Sequence, residues 1–152
     1  MYKKTITYTD FDDNERTEDF YFNLTKAELM EMQFSWDGGL HKVLQKMIQE
    51  QDTKRLMEYF KMMLVKSYGE KSLDGKKFLK EDENGRSLAQ LNFVPTEAYS
   101  QMYMMLATDD KEATAFVNGI MPKNLDEEVK AIAEKKEDNK PAEVLPGPGA
   151  NK

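Results

Sequence analysis

Apolar and polar residues alternate in two short segments near the N-terminus, residues 2–8 and 16–22. A period of two is typical of a β-strand with one buried face. The residues between them, 10–14, are turn formers that tolerate left-handed backbone. The pattern predicts a β-hairpin, with one face that carries the large apolar side chains Ile6, Tyr8, Phe20 and Phe22. Because a lone hairpin is marginal in water, this face should pack on the rest of the chain.

Helical spacing of apolar residues begins after the hairpin. Thr25-Lys26-Ala27-Glu28 has the form of a capping box, and it predicts a helix that runs to about Phe34. Gly38-Gly39 interrupts the pattern. An apolar stripe then predicts a second helix over about 40–51.

The strongest helical pattern covers about 53–68. Asp52 is a suitable N-cap for this helix, and Gly69 stands where a C-cap glycine is expected. The predicted helix carries a single apolar stripe, formed by Leu56, Tyr59, Phe60, Met63 and Leu64.

Residues 69–95 do not point to one structure. Two turn signals, Asp74-Gly75 and Asn84-Gly85, flank residues 76–80. This arrangement is compatible with a short hairpin or with an exposed loop. The same region allows a short helix over about 86–92.

Two more helices are predicted before the composition changes. Thr96 caps the first, over about 97–107, and Asp109 or Asp110 caps the second, over about 110–119. The expected fold is therefore mainly α with a small N-terminal β-hairpin, an α+β arrangement.

The chain is expected to divide into a compact helical domain and a tail. Residues 1–122 form the predicted hairpin and helical domain. Residues 123–152 are predicted to be weakly helical to disordered, because they are charged, rich in Pro and Gly, and have little apolar surface to bury.

Composition narrows the functional classes. Charged residues make up 33% of the 152 residues, and the net charge is −6. An acidic chain without a basic stripe argues against nucleic acid and anionic membranes as partners. The chain has no cysteine, which excludes disulfides and thiolate metal sites, and no apolar run long enough for a membrane span. The lysines near the N-terminus are not followed by the apolar stretch of a signal peptide.

The sequence predicts no catalytic residue, no cofactor-binding residue and no metal site. His41 is the only histidine and has no cluster of potential ligands around it. The acidic segment 10–15 superficially resembles a calcium loop, but Glu15 and Tyr21 occupy the positions that require Gly and a bidentate Glu. Gly38-Gly39 lacks the spacing of a phosphate-binding loop.

The 11 methionines are the unusual feature of the composition. On a helical period Met63 and Met102 align with the apolar stripes, whereas Met62, Met104 and Met105 fall off them. Methionine fills cores and also suits adaptable protein-binding surfaces, so both interpretations stay open. The predicted partner-binding residues are Met62, Met63, Tyr99, Met102, Met104 and Met105.

Three stretches together resemble the tail assembly chaperones of long-tailed, siphovirus-type bacteriophages of Gram-positive hosts. They are YTDFDDNERTEDFYFNLTKAELMEM, SYGEKSLDGKKFLK and TEAYSQMYMMLATDDKEATAFVNGIMPK. The resemblance covers about residues 2–123. It implies a non-enzymatic, mainly helical protein that binds the phage tape measure protein, keeps it soluble and helps recruit tail tube subunits.

The resemblance also places the protein in the host bacterial cytoplasm and outside the mature virion. Self-association is a further expectation. The main alternative is a structural virion component of the tail or head-tail connector. A small regulator of a host protein is less favoured by the sequence, and an enzyme is the least favoured class.

Overall fold

The computed structural model describes residues 1–34, 46 and 49–122, and it opens with the predicted hairpin. Strand β1, Tyr2–Thr9, pairs antiparallel with strand β2, Glu15–Phe22. The register is continuous, from Tyr2 opposite Phe22 to Thr9 opposite Glu15. Strand β1 alternates between more buried and exposed positions, whereas β2 does so only over its last three residues, Phe20 to Phe22. The predicted hairpin and its inward-facing residues Ile6, Tyr8, Phe20 and Phe22 are confirmed.

The turn of this hairpin is built around Asp10. The Asp10 amide donates to the carbonyl oxygen of Asn14 at 2.8 Å, and the Asp13 amide donates to the carbonyl oxygen of Asp10 at 3.1 Å. Asp13 adopts the left-handed conformation, with φ of +62°. The Asp10 carboxylate accepts from the amides of Asp12 and Asn14. The turn-forming residues 10–14 therefore act as their composition predicts.

The predicted fold class is wrong, because the hairpin is half of a four-stranded antiparallel sheet. Strands β3, Tyr68–Lys71, and β4, Phe78–Leu79, form a second hairpin. Strand β3 pairs with β2, with Phe22 opposite Tyr68, and the strand order is β1-β2-β3-β4. The protein is thus an α+β fold organised on a sheet rather than a mainly helical domain with a small hairpin.

Gly69 shows why this sheet was missed. We predicted it as a helix C-cap, but it lies in β3 opposite Tyr21. A Cβ atom on Gly69 would lie 2.5 Å from Cε2 of Phe78 and 2.9 Å from the carbonyl oxygen of Leu79. Glycine is therefore required here by the close approach of β4, not by helix termination.

Four α-helices are described, and two of them begin at the predicted caps Thr25 and Asp52. The Thr25 amide donates to Glu28 Oε1 and the Glu28 amide donates to Thr25 Oγ1, a reciprocal capping box. Asp52 accepts from the Arg55 amide at 3.2 Å. The helices are α1 (Lys26–Phe34), α2 (Thr53–Ser67), α3 (Glu97–Thr108) and α4 (Asp110–Ile120).

The caps of the last two helices also follow the sequence. Thr96 Oγ1 accepts from the Tyr99 amide, and the Asp109 carboxylate accepts from the amides of Lys111 and Glu112. The short helix expected over 86–92 is a π-helical turn, Ala89–Phe93. The helix predicted over 40–51 falls largely outside the described residues, as do Gly38-Gly39 and His41.

An aromatic cluster forms the centre of the core, between the inner face of the sheet and the helices. The Phe93 ring stacks on Tyr68 at 4.9 Å between centroids and meets Phe22 edge-on at 5.4 Å. Phe116 of α4 meets Phe22 at 5.6 Å and Tyr2 at 5.4 Å. The core therefore joins both ends of the described chain to its middle.

Met1–Pro122 is one compact unit. The predicted tail, residues 123–152, lies outside the described residues, so its predicted weak helix and disorder stay predictions.

Candidate partner-binding surface

The six predicted partner-binding residues do not share one surface. Met63 and Met102 are almost completely buried and belong to the core. Met104 of α3 is 54% exposed, and Met62 and Met105 are half-buried. The residues that fell off the apolar stripes are therefore the accessible ones, as the helical period indicated.

Met62 lines a groove on the surface of the described residues. This groove has a volume of about 500 Å³ and lies between α1 and α2. Its apolar lining consists of Leu24, Met32, Met62 and Val65. Leu24 and Met32 are buried, so Met62 and Val65, which are half-buried, form the accessible part of this floor. A flexible methionine side chain there suits the apolar face of a partner helix that can bind in more than one register.

Charged residues surround that apolar floor, and Lys80 is the central one. Its Nζ donates to Glu28 Oε2 at 3.0 Å, to the carbonyl oxygen of Asn23 at 2.9 Å and to the carbonyl oxygen of Lys66 at 2.6 Å. Burial lowers the pKa of the Lys80 ammonium, and the neighbouring Glu28 carboxylate offsets part of that effect. These bonds lie within the fold, so Lys80 stabilises the fold rather than offering its charge to a partner.

The acidic side chains of this groove are Glu28, Glu31 and Glu81. Burial raises the pKa of the Glu28 carboxyl, but bonds from the Thr25 amide and from Lys80 outweigh burial and hold the pKa below its usual value of 4.5. Glu28 is therefore ionised at neutral pH. Lys66 and Lys80 line the same groove, so its charged lining sums to 2 − 3 = −1. This small negative charge favours a partner helix whose apolar stripe is flanked by Lys or Arg.

A smaller groove, about 280 Å³ in volume, runs between β1 and α3. Residues 4–7 of β1 form one wall, and Gln101, Met102 and Met105 of α3 form the other. Met105 is therefore separated from Met62, and the two methionines line different grooves.

Tyr99 lies beside the core rather than in either groove. Its ring meets Phe93 edge-on at 5.4 Å and lies 6.0 Å from the ring of Tyr103. Burial raises the pKa of the Tyr99 hydroxyl. These contacts assign Tyr99 to packing at the edge of the aromatic cluster.

Sequence reasoning missed Leu24, Met32, Val65 and Lys80 as groove residues. Met32 and Val65 belong to predicted helices, but no periodicity tells which helix lies beside which. Lys80 was only one of several lysines in a segment without an assigned structure. Its role becomes visible only when β4 places it beside Asn23 and Lys66.

No clustered metal ligands and no membrane-crossing helix occur within residues 1–34, 46 and 49–122. No group of three or more His, Cys, Asp or Glu side chains there is arranged to hold a metal ion. No helix there has the length and apolar character needed to cross a bilayer. The acidic turn at 10–14 directs its Asp10 carboxylate to Arg16 Nε at 2.6 Å and to its own backbone.

A family model described as phage tail assembly chaperone matches residues 1–148. Searches of curated proteins and of solved structures gave no significant match. The match covers nearly the whole chain, including both grooves.

Proposed function

We propose that this chain, which belongs to the phage tail assembly chaperone family, binds the phage tape measure protein and keeps it soluble until the tail is assembled. The family match carries this proposal. The α1–α2 groove adds a surface of suitable chemistry, with the half-buried Met62 and Val65 as an adaptable apolar floor. We further propose that the bound complex helps recruit tail tube subunits in the host bacterial cytoplasm.

The groove suggests how such binding works. A tape measure protein is a long helical chain that exposes apolar stripes before assembly. Each copy of the chaperone covers a short length of such a stripe with the floor of its groove. Glu81 of the groove lining faces a basic side chain beside the stripe, which sets orientation more than affinity.

A co-expression experiment tests the proposal. The tape measure protein is produced with and without the chaperone, and its soluble fraction and co-purification are measured. We expect solubility to depend on the chaperone. Met62→Glu adds a charge to the groove floor and should weaken the complex about tenfold or more.

A matched variant controls for the added charge. Leu73→Glu makes the same kind of change at a fully exposed apolar side chain in the turn between β3 and β4, away from the groove. It should leave co-purification unchanged. Equal loss in both variants, or full binding by Met62→Glu, would remove the groove from the proposal.

Mass spectrometry of purified particles distinguishes the proposed function from the alternative, a structural component of the tail or connector. A chaperone should be absent from them or present only in traces. Abundant copies in finished particles would favour the structural alternative.

A further inference from the structure

Strand β1 presents half of its backbone groups away from the sheet. The Asp10 amide bonds to the carbonyl oxygen of Asn14, so this pair is of the hydrogen-bonded type. Such pairs alternate along an antiparallel ladder. Tyr8 and Ile6 therefore bond to β2, whereas the N–H and C=O groups of Thr7 and its odd-numbered neighbours point to the free side of β1.

Within the described ranges of the chain, no strand pairs with this free side. The edge is eight residues long and pairs without a bulge, and it contains no proline. Proteins usually protect such edges with charges, prolines, bulges or short length. The centre of β1, residues 5–9, has none of these protections, and its β-branched and aromatic residues favour strand pairing.

The other sheet edges are protected. Strand β4 contains only two residues. The part of β2 that extends beyond β3 carries the acidic residues Glu15, Glu18 and Asp19. Their negative charges repel a strand from another copy of this acidic protein. Strand β1 is therefore the one edge in the described part of the chain that is long, regular and uncharged at its centre.

We propose that β1 pairs antiparallel with β1 of a second copy of this chain, about a two-fold axis, to join the two sheets into one. In the register that uses all outward backbone groups, Thr5 lies opposite Thr7 of the second copy and Lys3 lies opposite its Thr9. Thr–Thr pairs are favourable cross-strand neighbours. The interface is self-complementary, as a two-fold dimer requires.

Charge complementarity favours a second copy as the occupant. Strand β1 has Lys3, whose side chain is 54% exposed, at one end and is followed at the other by Asp12 and Asp13. Lys4 and Asp10 are already paired with Glu112 and Arg16. Antiparallel pairing brings the basic end of each strand beside the acidic turn of its neighbour. The groove beside the edge adds Gln101 and Met105 of α3 as side-chain contacts on the inner side of the joined sheet.

Amide hydrogen exchange, measured by NMR on the full chain over a range of protein concentrations, tests the proposed β1–β1 pairing directly. The Thr5 and Thr7 amides should exchange fast in dilute protein and become protected as the concentration rises. The Ile6 and Tyr8 amides should be protected throughout, because they bond to β2. A molecule that stays monomeric at millimolar concentration would overturn the proposal.

Charge variants test the register. The double variant Thr5→Lys, Thr7→Lys places like charges opposite each other, and so does Thr5→Glu, Thr7→Glu. Each should raise the dimer dissociation constant about tenfold or more when alone. An equimolar mixture of the two should form a heterodimer, since every opposed pair is then of opposite charge.

Thr17→Lys is the matched control. It adds a lysine on the same outer face, but on β2 opposite Thr7 rather than at the edge. Circular dichroism should show all variants folded. Dimers that persist in both double variants, or a mixture that fails to associate, would overturn the β1 pairing. Co-purification with the tape measure protein tests a different surface, so the two proposals fail separately.

Discussion

Lys80 Nζ lies 3.0 Å from Glu28 Oε2, and this ion pair joins the start of α1 to the residue that follows β4. The same ammonium group bonds to two backbone carbonyl oxygens, one just after β2 and one near the end of α2. One side chain thus connects four elements beside the candidate groove. Its hydrogen bonds satisfy carbonyl groups that no longer continue a strand or helix.

Removal of this ammonium group should destabilise the fold. Lys80→Ala leaves the Glu28 carboxylate without its cation and two carbonyls without a donor, so we expect a loss of about 2–3 kcal/mol in the free energy of unfolding. Urea denaturation measures this loss. Lys76→Ala, at an exposed turn position, should change stability by less than about 0.5 kcal/mol. A similar small change for Lys80→Ala would show that its bonds contribute little.

Glu28 should make the fold sensitive to acid. Its pKa in the folded protein lies below the usual 4.5. The unfolded chain therefore binds the proton more readily, and stability from this group is present above pH 4.5 and is lost as pH falls through the folded value. Denaturation curves at decreasing pH measure the slope. Glu28→Gln should be less stable at neutral pH and should lose less stability on acidification; an unchanged slope would contradict this.

Tyr2 and Tyr8 should make the fold sensitive to alkali. Burial, together with Glu112 near Tyr2 and Glu18 near Tyr8, raises the pKa of each hydroxyl from 10.0 to about 12. The contribution of these groups to the free energy of unfolding is fully present below pH 10 and is lost as pH rises toward about 12. Burial also raises the pKa of Tyr59 and Tyr68, so each value is measured from the difference between the ultraviolet titrations of the wild type and of Tyr2→Phe or Tyr8→Phe. Each difference should show one late-titrating group, and a difference curve centred near pH 10 would contradict the assignment.

Phe93 should be the most sensitive position of the aromatic core. It is fully buried and touches the rings of four other residues, namely Phe20, Phe22, Tyr68 and Tyr99. Phe93→Ala should cost about 3–5 kcal/mol, because it removes these contacts and leaves a cavity. Phe11→Ala, at a side chain 76% exposed in the hairpin turn, is the matched control. Equal small losses would mean that the π-helical turn does not hold the core together.

Ser67 offers a stabilising substitution. Its side chain is fully buried at the end of α2, and its hydroxyl oxygen has no hydrogen-bond partner among the described residues. Ser67→Ala removes an unpaired polar group and should raise the melting temperature. Ser100→Ala, at an exposed position of α3, isolates the gain in helix propensity. A smaller gain at Ser67 than at Ser100 would contradict this.

Local sequence signals predicted local structure well. The alternation around Ile6 and Phe20 found both long strands, and the capping residues Thr25, Asp52 and Thr96 marked helix starts that the structure confirms. Each of these signals acts within a few residues. The caps act through hydrogen bonds to amides two or three residues away, and the alternation follows from the burial of one face of a strand, so the sequence alone is enough to reveal them.

The sheet and the groove depend on contacts between distant segments. Strand β3 pairs with β2 at only two positions, Tyr21 with Gly69 and Phe22 with Tyr68. So short a strand has no readable periodicity, and its glycine resembled a helix end. The α1–α2 groove was missed for the same reason. The apolar stripe on α2 predicted that Met63 is buried, but it did not show which element lies beside Met62.

The ring of Tyr2 rests against Phe116 and Gly119 of α4, at the far end of the described chain. Among the described elements, β1 leaves the ribosome first and α4 last. The inner face of the hairpin therefore stays without its packing contacts to α4 while more than a hundred residues are made. Such long-range closure slows folding. For a member of the phage tail assembly chaperone family, the consequence is that its own nascent chain exposes an apolar face before the last described helix is made.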